Sequence, residues 1–424
     1  MRKASWHNTA MKKFKVATLG CRTNQYESQA YKDQLIAQGY TEAGDDDEAD
    51  LCIVNTCTVT ESADSNSRHQ IRALARKNPN AKMVVTGCLA ESLPQMEEVD
   101  LVVLNKDKEN LLPLAFPEEE FPEFAIQQFA GRTRAFVKVQ DGCNSFCTYC
   151  VIPYVRGRSR SRRVDDILDE VRTLIANGYK EIVLTGINIG DFDGAPQEGE
   201  SPVRLAELVR IVDGVEGIKR LRLSSIDPDE VDDNLFDAII NGKNTCHSLH
   251  IVLQSGSNVV LKRMNRKYTR QMFLDSIQRL RASFPDFTFT TDVIVGFPGE
   301  TEEDFRETLE IMEQVQFAKV HMFPYSERKR TRAALFSNKV PHDVISKRKA
   351  IVLQNAERIA FEHRKKYVGR KMEVLLESQE GPYFTAHTEN FIPVLVPKEG
   401  LESNQLINVT FIENTPEGLI GYAY

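Results

Sequence analysis

Cys143-Asn144-Ser145-Phe146-Cys147-Thr148-Tyr149-Cys150 sets three cysteines within eight residues. The spacing C-x3-C-x2-C lets one tight loop point three thiolates at a common centre, and it supplies no fourth ligand. A structural zinc site takes four ligands, usually from paired C-x2-C or Cys/His units. Thiolates also hold iron–sulfur clusters, normally four per cubane. Three ligands on a four-iron cluster leave one iron open, and that iron is where a substrate or cofactor can be held. Three other readings compete: a zinc loop completed by a distant ligand, disulfides, and chance clustering. Disulfides fit poorly, because Met1 to Ala10 is polar without the apolar core of a signal peptide and eight cysteines are few for 424 residues. Met11-Lys12-Lys13 reads as an alternative start.

A chain this long exceeds one ordinary core, so two or three domains are expected. Apolar content of 41% and charged content of 27% are those of a soluble globular protein. No apolar run approaches the roughly 20 residues that cross a bilayer, so no membrane association is expected. The formal charge of −7 argues against bulk nucleic-acid binding, but net charge hides local patches. Arg156 to Arg163 (RGRSRSRR) carries five arginines in eight residues. Arg328-Lys329-Arg330-Thr331-Arg332 is a second run, and Arg364-Lys365-Lys366 with Arg370 and Lys371 is a third. One basic run is ordinarily a solvated face. Three on an acidic chain, one directly after the cysteine loop, predict a polyanion track. Arg158, Arg160, Arg162, Arg163, Lys365, Lys366, Arg370 and Lys371 are its candidate polyanion contacts. Few cysteines also suit a reduced, cytoplasmic enzyme.

The pattern of apolar residues predicts an α/β chain. Residues 14–19 read as a strand, 24–38 as an amphipathic helix, Leu51 to Val54 as a strand, 61–77 as a helix and Met83 to Thr86 as a strand. This is an N-terminal α/β domain, placed at 11–115, with a Pro/Glu-rich linker at 116–129. From 130 to 360 the alternation resumes, with strands at Ala135–Val139, Glu181–Thr185, Arg220–Leu223, Ser248–Leu253, Phe287–Val295 and Ala318–Phe323. Six units are too few for an eight-fold barrel, so a partial (β/α)6 barrel is expected, with its site at the carboxyl strand ends. A helical stretch at about 343–366 follows. Short segments at Met372–Leu376, Phe391–Val396, Leu406–Thr410 and Gly418–Tyr424 then predict a separate all-β barrel over 361–424.

Cys21, Cys57 and Cys88 each sit just past a candidate strand of the first domain, in Leu19-Gly20-Cys21, Thr56-Cys57-Thr58 and Gly87-Cys88. The carboxyl ends of a parallel sheet line one edge, so three such cysteines can converge on a metal. The competing reading is three unrelated buried thiols. Cys52, inside a strand, and Cys246, in a loop, read as structural. Polar and glycine residues recur at later strand ends: Thr185, Gly186 and Asn188, then Ser224, then Gln254 and Ser255, then Asp292 and Gly296. They are candidate cofactor contacts, as is Arg156, which could otherwise meet a phosphate of the polyanion or be a plain surface arginine.

The cysteine loop, with Tyr149 and Val151-Ile152-Pro153, resembles the signature of the radical S-adenosylmethionine (AdoMet) enzymes. Cys21, Cys57 and Cys88 ahead of that loop resemble the methylthiotransferase family among them, over nearly the whole chain. Residues 20–27 (GCRTNQYE) and 55–60 (NTCTVT) resemble the branch acting on N6-threonylcarbamoyladenosine in tRNA. One departure stands out: Arg330 occupies a position where that family usually has glycine. The resemblance implies a cluster on Cys143, Cys147 and Cys150 that cleaves AdoMet to a 5′-deoxyadenosyl radical, with Thr185 to Asn188 near the AdoMet amino group. It implies a second 4Fe–4S cluster on Cys21, Cys57 and Cys88 and a second AdoMet that methylates the transferred sulfur. It also implies a C-terminal TRAM barrel, the tRNA anticodon stem–loop as partner, and an electron donor such as flavodoxin or ferredoxin. Rival readings are the isopentenyladenosine or ribosomal-protein branches of the family, or a non-catalytic cluster protein that binds RNA or senses redox state.

Overall fold

The runs KFKVAT, LCIVNT and KMVVTG become neighbouring parallel strands because each offers apolar side chains to both faces of a covered sheet. A computed structural model describes residues 12–129 and 131–423, in two units that divide after Gln127. The start-site reading at residues 1–11 and the terminal Tyr424 lie outside the described residues.

In the first unit β1 (Lys13–Thr18), α1 (Arg22–Ala37), β2 (Thr41–Glu42), β3 (Leu51–Thr56), α2 (Glu61–Lys77), β4 (Lys82–Gly87) and β5 (Leu101–Val102) form a parallel sheet of order β2-β1-β3-β4-β5. The centre, β3, is buried throughout. Helix α2 matches its expected bounds for a visible reason. Thr60 accepts the Ala63 N–H at 3.1 Å, Glu61 and Asp64 lie in the first turn, and Arg76 and Lys77 in the last. Residues 116–129 do not run as a loose linker. Pro113 lies inside α3 (Leu111–Ala115), and Phe116, Phe121 and Phe124 pack on the core of Phe14, Tyr31, Leu51 and Leu112. Those phenylalanines give a Pro/Glu-rich stretch an apolar face.

The second unit opens with β6 (Arg134–Lys138), the short β7 (Gln140–Asp141), α4 (Ile152–Val155), β8 (Arg160–Ser161), α5 (Val164–Ala176), β9 (Glu181–Thr185) and α6 (Leu205–Asp213). It continues through β10 (Arg220–Leu223), β11 (Ser225–Ile226), α7 (Asp233–Asn241), β12 (Ser248–Ile251), α8 (Asn258–Arg263), α9 (Arg270–Ser283), β13 (Thr288–Val295), α10 (Glu302–Val315), β14 (Lys319–Pro324) and α11 (His342–Lys365). The parallel strands run β6-β9-β10 and then β11-β12-β13-β14, the third strand breaking at Ser224. Strands β6 and β14 are the outer edges, so the barrel is partial and open.

The last strands, β15 (Lys371–Glu380), β16 (Tyr383–Thr388), β17 (Pro393–Pro397), β18 (Leu406–Asn414) and β19 (Leu419–Ala423), close into a barrel of order β15-β16-β17-β19-β18. Strand β16 had no counterpart in the sequence reading, although Phe384, Ala386 and Thr388 alternate inward. The barrel is not a detached module; it belongs to the same unit as the open barrel. It is seated on the amino ends of the core strands. Arg134 pairs with Glu377 at 3.0 Å, Arg220 donates to the Glu373 and His387 carbonyls, and Arg222 to the Glu389 carbonyl. Glu181 lies buried beneath, 2.8 Å from Arg222 Nε. Burial alone would raise its carboxyl, but Arg222, with Arg134 and Arg220, outweighs that and holds it at about 2.

Candidate cluster and cofactor sites

The β7/β8 hairpin pairs Gln140 with Ser161 and Asp141 with Arg160, and the cysteine loop hangs between the two strands. Gly142 opens the loop at φ +72, where a Cβ would strike the Arg158 carbonyl, so only glycine fits this crossing. The Cys143 N–H donates to the Gly157 carbonyl at 3.2 Å, and the Cys150 N–H to that of Cys147 at 3.0 Å. The Thr148 N–H and hydroxyl donate to the Met264 and Arg263 carbonyls, and Asn265 Nδ2 donates to those of Ser145 and Phe146. A disordered-looking string of small and polar residues is thereby fixed to the end of α8.

Cys147 is buried, and Cys143 and Cys150 are half-buried. Burial raises the Cys143 thiol, and burial followed by the Cys147 neighbour pushes Cys150 up to about 12. Arg266 Nη1 lies 2.9 Å from Cys147 Sγ, while its other donors meet the Asp227 carboxylate and the Tyr268 hydroxyl. Among the described residues no three His, Cys, Asp or Glu side chains are already drawn to metal-centre distances. The fold fixes the backbone and the counter-cation. Three sulfur donors from one anchored loop, with a guanidinium on one of them, fit a thiolate-held cluster.

The strand-end candidates divide into two groups. Thr185 ends β9, and Gly186 sits so close to Gln140 that a Cβ would come within 2.9 Å of its carbonyl and side-chain oxygens. Gln140 Oε1 accepts the Ile187 and Asn188 N–H groups, and Asn188 Nδ2 donates to Glu230 at 2.8 Å. Burial, then the Asp227 neighbour, pushes the Glu230 carboxyl up to about 7. Ser224 Oγ and Gln254 Oε1 are buried with no hydrogen-bond partner among the described residues, the state of polar atoms that a ligand would satisfy. Asp292 is half-buried, 3.4 Å from His250 Nε2. The others have structural work. Ser255 is fully buried, with its hydroxyl on the Ser257 N–H and near Thr308 of α10. Gly296 donates its N–H to Glu300 and could not carry a Cβ past Ile345. Arg156 is neither a surface arginine nor open to phosphate: its side chain is buried against Asp141 at 2.8 Å. Gln140, Asp227, Glu230 and Arg266 went unread. A lone glutamine and a Met-Asn-Arg-Lys tail carry no motif, and only the acid-rich 227–230 turn offered a signal.

In the first unit the three cysteines come from β1, β3 and β4, which are side by side. The Leu19 N–H donates to the Asn55 carbonyl at 2.9 Å, and the Cys88 N–H to that of Thr56 at 3.0 Å. A Cβ on Gly20 would lie 2.8 Å from Cys57 Cβ and 2.9 Å from its Sγ. The Cys21 and Cys57 turns are therefore in van der Waals contact, with the Cys88 turn against Thr56. Asn24 Nδ2 staples the turns by donating to the Leu19 and Thr56 carbonyls, and Ser67 both accepts from and donates to the Cys57 backbone. Three abutting strand-end turns, each bearing a cysteine, suit a cluster as scattered core cysteines would not. Cys52 and Cys246 are buried elsewhere, with thiols pushed by burial to about 11 and about 12, as inert core groups are.

Most candidate RNA contacts turn out to have acidic neighbours. Arg162 pairs with Glu170 at 3.2 Å, Arg163 lies 3.5 Å from Glu200, and Arg160 lies 3.6 Å from Asp141. Arg370 and Lys366 share Asp286, and Lys365 meets Glu362 one turn back. Lys371 begins β15 and is exposed. Arg158 is exposed and stacks on Phe146.

Residues 137–312 match the radical SAM superfamily, and residues 13–104 match the uncharacterized protein family UPF0004. A Chlamydia pneumoniae protein named threonylcarbamoyladenosine tRNA methylthiotransferase MtaB is 49% identical, over 96% of this chain and 97% of its own. The chain belongs to the radical AdoMet methylthiotransferase family. A Clostridium novyi relative in that family, named tRNA-2-methylthio-N(6)-dimethylallyladenosine synthase, is 35% identical over 87% of this chain and 86% of its own. Among solved structures, the radical S-adenosylmethionine methyltransferase TsrM of Kitasatospora setae aligns at a TM-score of 0.53 and 15% identity, over 74% of this chain and 75% of that one. That likeness is one of fold. Among the described residues no helix is long and apolar enough to cross a membrane.

Proposed function

We propose that this chain is a tRNA-modifying enzyme that places a methylthio group on C2 of N6-threonylcarbamoyladenosine next to the anticodon, at position 37. The observation that carries the reading is the presence, on one chain, of the anchored C-x3-C-x2-C loop and of three abutting strand-end cysteines. The first set, Cys143, Cys147 and Cys150, would hold one 4Fe–4S cluster, and Cys21, Cys57 and Cys88 a second. The choice of threonylcarbamoyladenosine over dimethylallyladenosine is supported by 49% identity to a relative named for the first and 35% to one named for the second.

Bound clusters and AdoMet supply one-electron chemistry and sulfur transfer at an aromatic carbon that acid–base groups cannot activate. The chain's own residues bind and orient. Arg266, fixed by Asp227, places a permanent cation on one cluster-bearing sulfur. Gln140 locks the backbone after β9, so that Asn188 and Glu230 present an acceptor suited to an ammonium group. Ser224 and Gln254 offer unsatisfied oxygens at the next strand ends. An external reductant of the flavodoxin or ferredoxin type completes the electron supply, and a tRNA substrate implies work in the cytoplasm. Mass analysis of tRNA nucleosides from a strain lacking the gene tests the reading. Loss of 2-methylthio-N6-threonylcarbamoyladenosine is expected; its persistence, with loss of the dimethylallyl counterpart, would overturn the substrate.

A further inference from the structure

Arg330 adopts φ +75, a backbone region that glycine enters freely and arginine does not. A non-glycine residue there is strained. Its side chain therefore has a use, and its position shows one. The Arg330 guanidinium lies 5.2 Å from the Tyr154 ring centre; Tyr154 meets Phe146 edge-on at 6.2 Å and 90°; and the Arg158 guanidinium caps Phe146 at 4.4 Å. Phe146 is itself left-handed, at φ +48 within the cysteine loop. Two strained residues thus build one ladder of alternating cations and rings.

We propose that Arg158, Phe146, Tyr154 and Arg330 form the platform that receives the single-stranded RNA substrate, the arginines taking phosphates and the rings an unstacked base. The proposal rests on the reading that the substrate is an RNA, and it says where that RNA is gripped. Three observations support it. First, both arginines are exposed and neither has a carboxylate partner among the described residues, as is also true of Lys329 and Arg332. Arg162, Arg163, Lys365, Lys366 and Arg370 lie against acids, which already neutralise them. Second, Phe146 and Tyr154 follow β6 while Arg330 follows β14, so the ladder joins the two outer strands of the open barrel; the Ala333 N–H donates to the Thr148 carbonyl at 2.8 Å beside it. The platform stands at the carboxyl ends, at the cysteine loop, whereas the C-terminal barrel is seated at the amino ends. Third, uncompensated guanidiniums interleaved with half-buried rings are the chemistry of single-stranded nucleic-acid grooves.

Fluorescence anisotropy with an anticodon stem–loop RNA, over a salt series, tests this on the full-length, cluster-reconstituted chain. The Arg330→Gly and Arg158→Gln variants should each raise Kd roughly 5- to 10-fold and flatten the slope of log K against log salt by about 0.7 to 0.9. The double variant should lose more than either. Arg330→Gly also relieves the left-handed strain, so it should melt no lower than the parent, which separates binding from folding. Unchanged Kd and slope in the double variant, while the parent binds the RNA, would overturn the platform alone. A parent that binds no stem–loop RNA would overturn both the platform and the RNA reading.

Discussion

The Arg266 side chain is only 6% exposed, and each guanidinium nitrogen is committed: Nη1 to Cys147 Sγ at 2.9 Å, Nη2 to the Asp227 carboxylate, and Nε to the Tyr268 hydroxyl at 3.1 Å. Tyr268 in turn donates to the Leu253 carbonyl at 3.1 Å, so the cation is held from behind. In the proposed function Cys147 ligates a cluster, and a fixed positive donor on its sulfur would favour that cluster's more negative, reduced form. Arg266→Met should make reduction of the loop's cluster about tenfold less favourable, a fall of about 59 mV for one electron. A redox titration followed by electron paramagnetic resonance reads this directly, and an unchanged potential would remove the role. Nothing in the local sequence announces Arg266, because its sulfur and carboxylate partners lie 119 and 39 positions away. The cysteines were legible for the opposite reason: their chemistry is carried by residue type and spacing. Arg330 was legible as an oddity, and its positive φ gives that oddity a physical meaning.

At the scale of elements, strands and helices with a clean period were read close to their bounds, as for β9, β10 and α2. What escaped was short or held by partners distant in sequence. The two-residue β7 and β8 have no period to detect, yet they frame the cysteine loop. Arg134, Arg220 and Arg222 sit in strands that read as ordinary, and their partners in β15 and the loop after β16 appear only once the barrel is docked. Glu181 is the pivot of that docking. Glu181→Gln leaves buried arginines without their counter-charge, so it should cost roughly 3–5 kcal/mol in denaturant unfolding. The carboxyl is depressed from its usual 4.5 to about 2, so its contribution is present above pH 4.5 and is lost as pH falls from there toward 2. The variant should show a shallower loss of stability across that window. Equal slopes for parent and variant would contradict the ion-pair account.

For the molecule as a whole, the order of its parts was readable because each uses a different pattern: alternating β/α in the first unit and core, then short alternating strands at the end. How the last barrel is attached was not readable, since docking depends on side chains scattered over some 250 positions. The neutralised basic runs follow the same logic: composition counts charges but not the acids folded against them. The central claim is that two separate cysteine tripods hold clusters on one chain. The direct measurement is iron and sulfide content after anaerobic reconstitution, with nucleoside products, for the parent and for Cys21→Ala/Cys57→Ala/Cys88→Ala. About eight irons are expected in the parent and about four in the variant, with AdoMet cleavage kept and the methylthio product lost. Equal iron in the two proteins, or methylthio product from the variant, would contradict it.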